Sequence, residues 1–419
     1  MSGPNLPPND VDILRRLGER IAAAAQDPVN LERKHAWYAL DAGADGRPMI
    51  LAEAFAVRDE HPPCPDSMLA CRDPWARGVE RGLRFQLYQF EDLQDDHVIE
   101  PFVQTAWRVQ VGDYGVQPVR HTSPNAGRLG AMRWDAPLAD LDRDFEKLHP
   151  RTYSVDRAAT RAEKERLERV FDGILGVRIR GEFWWTLGLT WAAVELIGLE
   201  NLMLFMFDQP RGLHRLMQFL HDDHLAYARW LETEGLLAAD NENDYIGSGS
   251  MGYTRDLPRP DLPPGRPVRM LDKWALLESQ ETVGVGPDQF EEFIFPYQHS
   301  LAGHFGKVYY GCCEPVHSRW HVLRRLPNLA RVSVSPWADE PFMADALGRA
   351  FVYSRKPNPT LISTERFDEQ AIRADLRRTL DVARGCRLEL IMKDVHTLNN
   401  EPERLARWVA LAREEASRG

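Results

Sequence analysis

From about residue 183 onward the chain alternates short, continuously apolar runs with longer stretches of helical spacing. The runs Leu236–Asp240, Trp274–Ser279, Lys307–Cys312, Ala330–Ser335, Ala350–Ser354 and Arg387–Lys393 have the length and composition of strands buried on both faces. Between and before them, Trp191–Leu199, Pro210–Glu234, Pro287–Phe305, Met343–Arg349 and Asp368–Arg384 carry the spacing of amphipathic helices. Such alternation predicts parallel strands joined by helical crossovers. A closed eight-stranded barrel and an open doubly wound sheet both satisfy it.

Towards the N-terminus, Val11–Ala25 places Ile13, Leu14, Leu17, Ile21 and Ala24 on one stripe, which predicts a helix. The proline-introduced run Arg47–Glu53 suits a first strand. Residues 57–175 are less regular, rich in Asp, Arg, Trp and Pro, and read as an elaboration over the main body. The expected organisation is therefore a helical extension over residues 1–46, followed by one large domain over 47–419 that carries an irregular covering insertion at about 57–175.

Composition narrows the function classes. Hydrophobic residues make up 43% and charged residues 27%, ordinary values for a globular enzyme. A formal charge of −11, from 52 Lys and Arg against 63 Asp and Glu, disfavours a nucleic acid partner. No apolar stretch reaches membrane-spanning length. The start, Met1 to Asp10, lacks the charged and apolar regions of a secretory signal, and five cysteines do not make a disulfide framework, so the expected location is cytoplasmic. No G-x-G-x-x-G or G-x-x-x-x-G-K-[ST] follows any strand run, which argues against a dinucleotide fold or a phosphate-binding loop of that type. The glycine-rich segment Gly247–Gly252 is not followed by a helix start, and reads as a mobile or substrate-covering loop rather than an anion nest.

Candidate chemistry concentrates in Tyr309-Tyr310-Gly311-Cys312-Cys313-Glu314-Pro315-Val316-His317. Two of the five cysteines stand side by side there, between the end of a strand run and a helix expected over Ser318–Leu326. Buried cysteine is often a small apolar filler, and neighbouring strand residues point to opposite faces, so thiolate ligation competes with core packing at this place. Gln280 and Glu281 end the Trp274–Ser279 run, and Glu281 has three readings: metal ligand, base, or helix N-terminal carboxylate. Asn241, Asn243 and Asp244 end another run and are either polar substrate contacts or turn residues. Arg355, Lys356 and Asn358 are placed to meet a carboxylate. In Glu182-Phe183-Trp184-Trp185-Thr186 the aromatics fit core packing better than a ligand platform.

The segment Gly286-Pro287-Asp288-Gln289-Phe290-Glu291-Glu292-Phe293-Ile294-Phe295-Pro296-Tyr297 resembles the helix-opening motif of the uroporphyrinogen decarboxylase superfamily. The order of the elements after Tyr297 resembles it too: a strand with potential ligands, a strand ending near Ser335, a strand leading to Asn358-Pro359, and a last strand with one more ligand. The likeness covers roughly residues 180–415 and implies a (β/α)8 TIM barrel. Decarboxylases of that superfamily carry an arginine-bearing loop after the first strand, where this chain has Leu51-Ala52-Glu53-Ala54-Phe55 without arginines. The zinc-dependent methyltransferase branch, which moves a methyl group between a corrinoid protein and a thiol or other acceptor, has H-x-C at one strand end and a further Cys on the last strand.

Here Tyr310-Gly311-Cys312 stands at the first position and Lys393-Asp394-Val395-His396 at the second, so one cysteine matches and a histidine replaces the other. The resemblance thus implies Zn2+ held by Cys312 and His396 with Cys313, Glu314 or Glu281 completing the set, and an active-site role for Tyr310. Asp394-Val395-His396 also mimics the start of a cobalamin-ligating signature. Too few residues come after His396 for the rest of a cobalamin domain, so the corrinoid is expected on a partner protein. A homodimer is a further implication. The activities expected are methyl transfer or demethylation of a small molecule, with tetrapyrrole-like decarboxylation and noncatalytic carrier docking as alternatives.

Overall fold

The computed structural model describes residues 6–122, 132–181 and 183–418, and these fold as two compact units. Residues up to Arg108, Asp156–Gly181 and those from Pro357 onward make the first; Val109–Val155 and 183–356 make the second. Glu182, the first residue of the aromatic segment singled out in the sequence, lies outside the described residues, as do the first residues of the N-terminus.

In the first unit the helix Pro8–Gln26 buries the predicted stripe of Ile13, Leu14, Leu17, Ile21 and Ala24. That stripe packs with Leu83 and Leu87 of the helix Pro74–Tyr88 and Leu167, Val170 and Phe171 of the helix Arg157–Phe171. Buried Asp10 accepts N–H groups of Arg72 at 3.0 Å and Asp73 at 2.8 Å. Asp73 in turn caps the helix Pro74–Tyr88 through the N–H groups of Trp75 and Ala76, satisfying donors that a helix start leaves open. The strand Met49–Ala52 runs parallel to Arg387–Met392, in register from Met49 opposite Glu389 to Ala52 opposite Met392. A second parallel ribbon pairs Phe102–Thr105 with Gly176–Ile179.

The second unit is built on four parallel strands, Trp274–Leu277, Lys307–Tyr310, Leu329–Val334 and Val352–Arg355, paired in that order. Their side chains are buried on both faces almost throughout, which is why the sequence shows unbroken apolar runs instead of alternation. Leu277 stands opposite Tyr310, and Tyr310 opposite Val332. One face carries Trp274, Leu276 and Tyr309 against Ile246 and Leu257.

With two separate pairs of parallel strands in the first unit and a row of four in the second, the chain is an α/β protein. The barrel expected from the sequence asks for eight strands in one closed ladder. Leu236–Asp240, an apolar run that predicts a strand, forms no ladder. Lys273 occupies its polar groups instead, donating from Nζ to the Ala238 carbonyl at 3.0 Å and to the Asp240 carboxylate at 2.5 Å. The Gly247–Gly252 segment also departs from expectation: Tyr245–Gly247 and Ser250–Met251 form an antiparallel hairpin buried against the strands. Gly247 adopts φ 143°, and a Cβ there would lie 2.7 Å from Leu276 Cδ1, so only glycine permits the approach.

The predicted helix Pro287–Phe305 is two helices, Pro287–Phe293 and Phe295–Ala302. Pro296 has no N–H to continue the first helix, and the chain breaks at Ile294. Similarly, Ser318–Leu326 resolves into a tight turn over Val316–Arg319 and a single helical turn, Trp320–Leu323. No single described helix is long and apolar enough to cross a membrane, although the bent pair Thr190–Ile197 and Leu199–Asp208 passes that test together.

Candidate active site at the strand ends

Because Leu277 and Tyr310 are register partners, the segments leaving these two strands start side by side at their carboxyl ends. In parallel α/β proteins this is the end where ligands bind, since loops there are free to vary over a fixed sheet. The first segment runs through Glu278 and Ser279 into a short turn over Gln280–Thr282. The second bends at Gly311, whose φ of 97° lies in the region open to glycine, and continues through Cys312, Cys313 and Glu314.

Glu314 joins the two segments. Its Oε1 accepts the Ser279 N–H at 2.9 Å and its Oε2 accepts the Cys312 N–H at 2.9 Å. The Cys312 carbonyl accepts from Ser333 Oγ at 2.9 Å, so both polar groups of the Cys312 backbone are held. Arg319 fixes the far side of the first turn, donating to the Thr282 hydroxyl at 2.8 Å, to the Thr282 carbonyl and to the Val285 carbonyl at 2.7 Å. Its guanidinium lies over the Phe290 ring, 4.7 Å from the centroid.

Glu278 is fully buried. Its Oε2 accepts the Gln280 N–H at 3.0 Å, and its carbonyl accepts from Gln298 Nε2 at 2.8 Å. The same Gln298 amide donates to the Gly188 carbonyl at 2.8 Å. Gly188 is pressed onto this residue: a Cβ at 188 would lie 2.2 Å from the Glu278 carbonyl oxygen and 2.9 Å from Oε1. Half-buried Glu281 is oriented by Thr190, at the start of the helix Thr190–Ile197, whose hydroxyl donates to Oε2 at 2.7 Å. Three buried polar atoms around this cluster have no protein partner: Glu278 Oε1, Gln298 Oε1 and the Tyr310 hydroxyl.

Charge is set by that geometry. Burial, reinforced by the neighbouring Glu281 and Glu314, pushes the Glu278 carboxyl well above the usual carboxylate range. Burial also raises Glu314, although its backbone N–H donors pull the other way. The Tyr310 phenol is pushed well up by burial and by Glu314, so it stands as an un-ionised hydroxyl. Arg319 is lowered by burial, against the opposing pull of Tyr310 and Glu314.

Of the residues singled out in the sequence, Gln280, Glu281, Tyr310, Cys312, Cys313 and Glu314 belong to these two segments. Cys312 is buried and Cys313 exposed, with their sulfur atoms 3.6 Å apart. Asn241 comes directly after Asp240, which is bound to Lys273 at the amino end of the Trp274–Leu277 strand, and its amide donates to the Leu257 carbonyl at 3.0 Å. Asn243 has a buried side-chain oxygen without a partner. Arg355 is buried and engaged, donating to Glu340 at 2.8 Å and to the Lys356 carbonyl. In the first unit, Asn358 closes a turn by accepting from the Thr360 N–H at 3.0 Å and hydroxyl at 2.8 Å. Exposed His396 offers its carbonyl to the Arg58 N–H at 2.9 Å. Glu278, Arg319, Gln298 and Gly188 were not found from the sequence. An acidic residue closing the apolar run Trp274-Ala275-Leu276-Leu277 was the one available signal, for Glu278.

The expected zinc set can be tested on these donors. Glu314 has both oxygens committed to backbone N–H groups, and Cys312 and Cys313 by themselves supply two sulfurs. Among the described residues no three His, Cys, Asp or Glu side chains gather in an arrangement that could hold a metal ion. The described residues, as they stand, do not fit a zinc centre.

No protein-family model matches the chain, and no curated protein does. Among solved structures, a methyltransferase from Methanosarcina mazei is similar, at 11% sequence identity and a TM-score of 0.49, over 91% of this chain and 98% of that one.

Proposed function

We propose that this chain is a methyltransferase acting on a small molecule, with the reaction placed at the carboxyl ends of the Trp274–Leu277 and Lys307–Tyr310 strands. One observation carries the reading. Tyr310-Gly311-Cys312, the first position of the methyltransferase resemblance, leads into the loop that Glu314 ties to Ser279, and beside it three buried polar atoms, Glu278 Oε1, Gln298 Oε1 and the Tyr310 hydroxyl, find no protein partner. Unsatisfied buried groups cost stability, and a folded protein retains them where a ligand or water completes them.

On this reading Glu281, held by Thr190, meets the polar hydrogen of the substrate. Tyr310 offers a phenol O–H. Glu314 has no proton-transfer task, since both of its oxygens hold the loops together. The methyl acceptor or donor on the other side is a thiol or a corrinoid carried on a separate protein. When bound, the corrinoid supplies the methyl-carrying chemistry, and this chain binds, orients and manages protons. Tetrapyrrole decarboxylation is not favoured, because Glu53-Ala54-Phe55, directly after Met49–Ala52, carries none of the arginines that the decarboxylases place there for substrate carboxylates.

The test is methyl transfer by the purified protein. Methylcobalamin with 2-mercaptoethanol, and a panel of methyl ethers and methylamines with cob(I)alamin, would be followed by the corrinoid absorption spectrum and by mass spectrometry of the products. Turnover above the protein-free rate in either direction supports the reading. No turnover with any pair, from a protein shown to be folded, would overturn it.

A further inference from the structure

We propose that Glu278 is the proton donor of this site. The inference rests on the methyl-transfer reading and assigns the proton that such a reaction needs. When a methyl group leaves oxygen, the C–O bond breaks and the leaving oxygen must gain a proton. With a thiol as acceptor the step is balanced: the thiolate sulfur forms the new bond to the methyl carbon, the leaving oxygen takes the proton from Glu278 Oε1, and the proton given up by the thiol restores the carboxyl group.

Three carboxyl groups share the site, and their hydrogen bonds separate them. Glu314 accepts two N–H groups, one on each oxygen, as an ionised carboxylate does. Glu281 is half-buried and accepts the Thr190 hydroxyl. Of the three, Glu278 is fully buried with one oxygen, Oε1, receiving no donor. A bare anionic oxygen in that position would be costly, whereas a carboxylic acid carries its own proton there and becomes a donor.

Its surroundings point the same way from every side. Glu281 on its own turn, Glu314 and Cys312 on the neighbouring loop, and the Tyr310 phenol supply no positive charge. Arg319 acts on Tyr310 and Glu314, and its guanidinium donates to Thr282 and Val285. Gln298 and Gly188, packed against Glu278 from other elements, are uncharged. Two further buried atoms of the cluster, Gln298 Oε1 and the Tyr310 hydroxyl, also have no hydrogen-bond partner in the protein.

Glu278→Gln tests this, because the amide copies the shape and neutrality of the acid but has no acidic proton to give. Infrared difference spectra of the unaltered protein against Glu278→Gln at neutral pH are expected to show the C=O stretch of a protonated carboxyl, shifted by deuterium exchange and missing in the variant. Demethylation of whichever methyl ether the unaltered protein turns over is expected to fall by about 10²-fold or more in Glu278→Gln, with its melting temperature not lowered, and Glu278→Asp is expected to recover part of the rate and the pH profile. Absence of the infrared band would overturn the inference without touching the methyl-transfer reading. A band accompanied by full activity of Glu278→Gln would overturn the donor role. A band with no methyl transfer by the unaltered protein would overturn the role through its premise.

Discussion

Gly188 and Glu278 are in direct apposition: any side chain at 188 would begin 2.2 Å from the Glu278 carbonyl oxygen. That oxygen also accepts the Gln298 amide, so the backbone has no room to retreat without breaking a buried hydrogen bond. Gly188→Ala is therefore expected to destabilise the protein by at least about 1–3 kcal/mol, the usual cost of overpacking. Urea denaturation monitored by circular dichroism reads this directly. An unchanged midpoint would show that the two residues are less tightly apposed.

Removing the Glu314 clamp exposes a second relationship. Glu314→Ala leaves the Ser279 and Cys312 N–H groups buried without acceptors, at a cost of about 1–3 kcal/mol for each. Glu314→Gln keeps one acceptor and presents an NH2 group to the other N–H, so its loss should fall between the unaltered protein and Glu314→Ala. Thermal denaturation of the three proteins gives the order.

Stability should also depend on pH in a way that Glu278 controls. Its carboxyl sits above the usual value of 4.5 when folded, so the folded state holds the proton more tightly than the unfolded chain. Its contribution is thus fully present below about pH 4.5 and is lost as pH rises through the folded value. Other carboxyls with lowered values, such as Asp96 and Asp272, act in the opposite sense at acid pH, so the comparison must be with the variant and not with a flat line. Glu278→Gln is expected to gain on the unaltered protein steadily as pH rises, by an amount on the order of 1–3 kcal/mol at the alkaline end. A constant difference from acid to alkaline pH would contradict this.

The strands and the site were legible in the sequence to different degrees, for physical reasons. Strands buried on both faces leave continuous apolar runs, so Trp274–Leu277, Lys307–Tyr310 and Leu329–Val334 were located to within about two residues. The same signal misplaced Leu236–Asp240, because an apolar run does not say whether a neighbouring strand or the Lys273 side chain will take its polar groups. At the site, Tyr310, Cys312 and Glu281 drew attention through local chemistry and position. The work of Glu314 is a contact between two loops, and the place of Gly188 is set by residues far along the chain; neither leaves a mark on spacing. Arg355, expected as a substrate contact, illustrates the converse, since it is buried and bound to Glu340 at the start of the helix Glu340–Leu347.

Cysteine reactivity gives a check on loop placement that needs no activity. Cys313 is exposed, whereas Cys312 and Cys71 are buried. Burial and the neighbouring Glu80 push the Cys71 thiol up to about 12, and burial with Asp92 pushes Cys64 up to about 11. Mild alkylation read by peptide mass spectrometry should modify Cys313 first, and Cys71 and Cys312 only on unfolding. Early modification of Cys312 would place its side chain outside the buried cluster.

The proposed place of methyl transfer, at the ends of the Trp274–Leu277 and Lys307–Tyr310 strands, is tested by product formation by Glu281→Gln and Tyr310→Phe beside the unaltered protein and a surface control, Asp261→Asn. With a deuterated methyl donor and mass spectrometric detection, turnover is expected from the unaltered protein and the control, and losses of about 10²-fold or more in the two site variants while both remain folded. Equal turnover in all four proteins would contradict it.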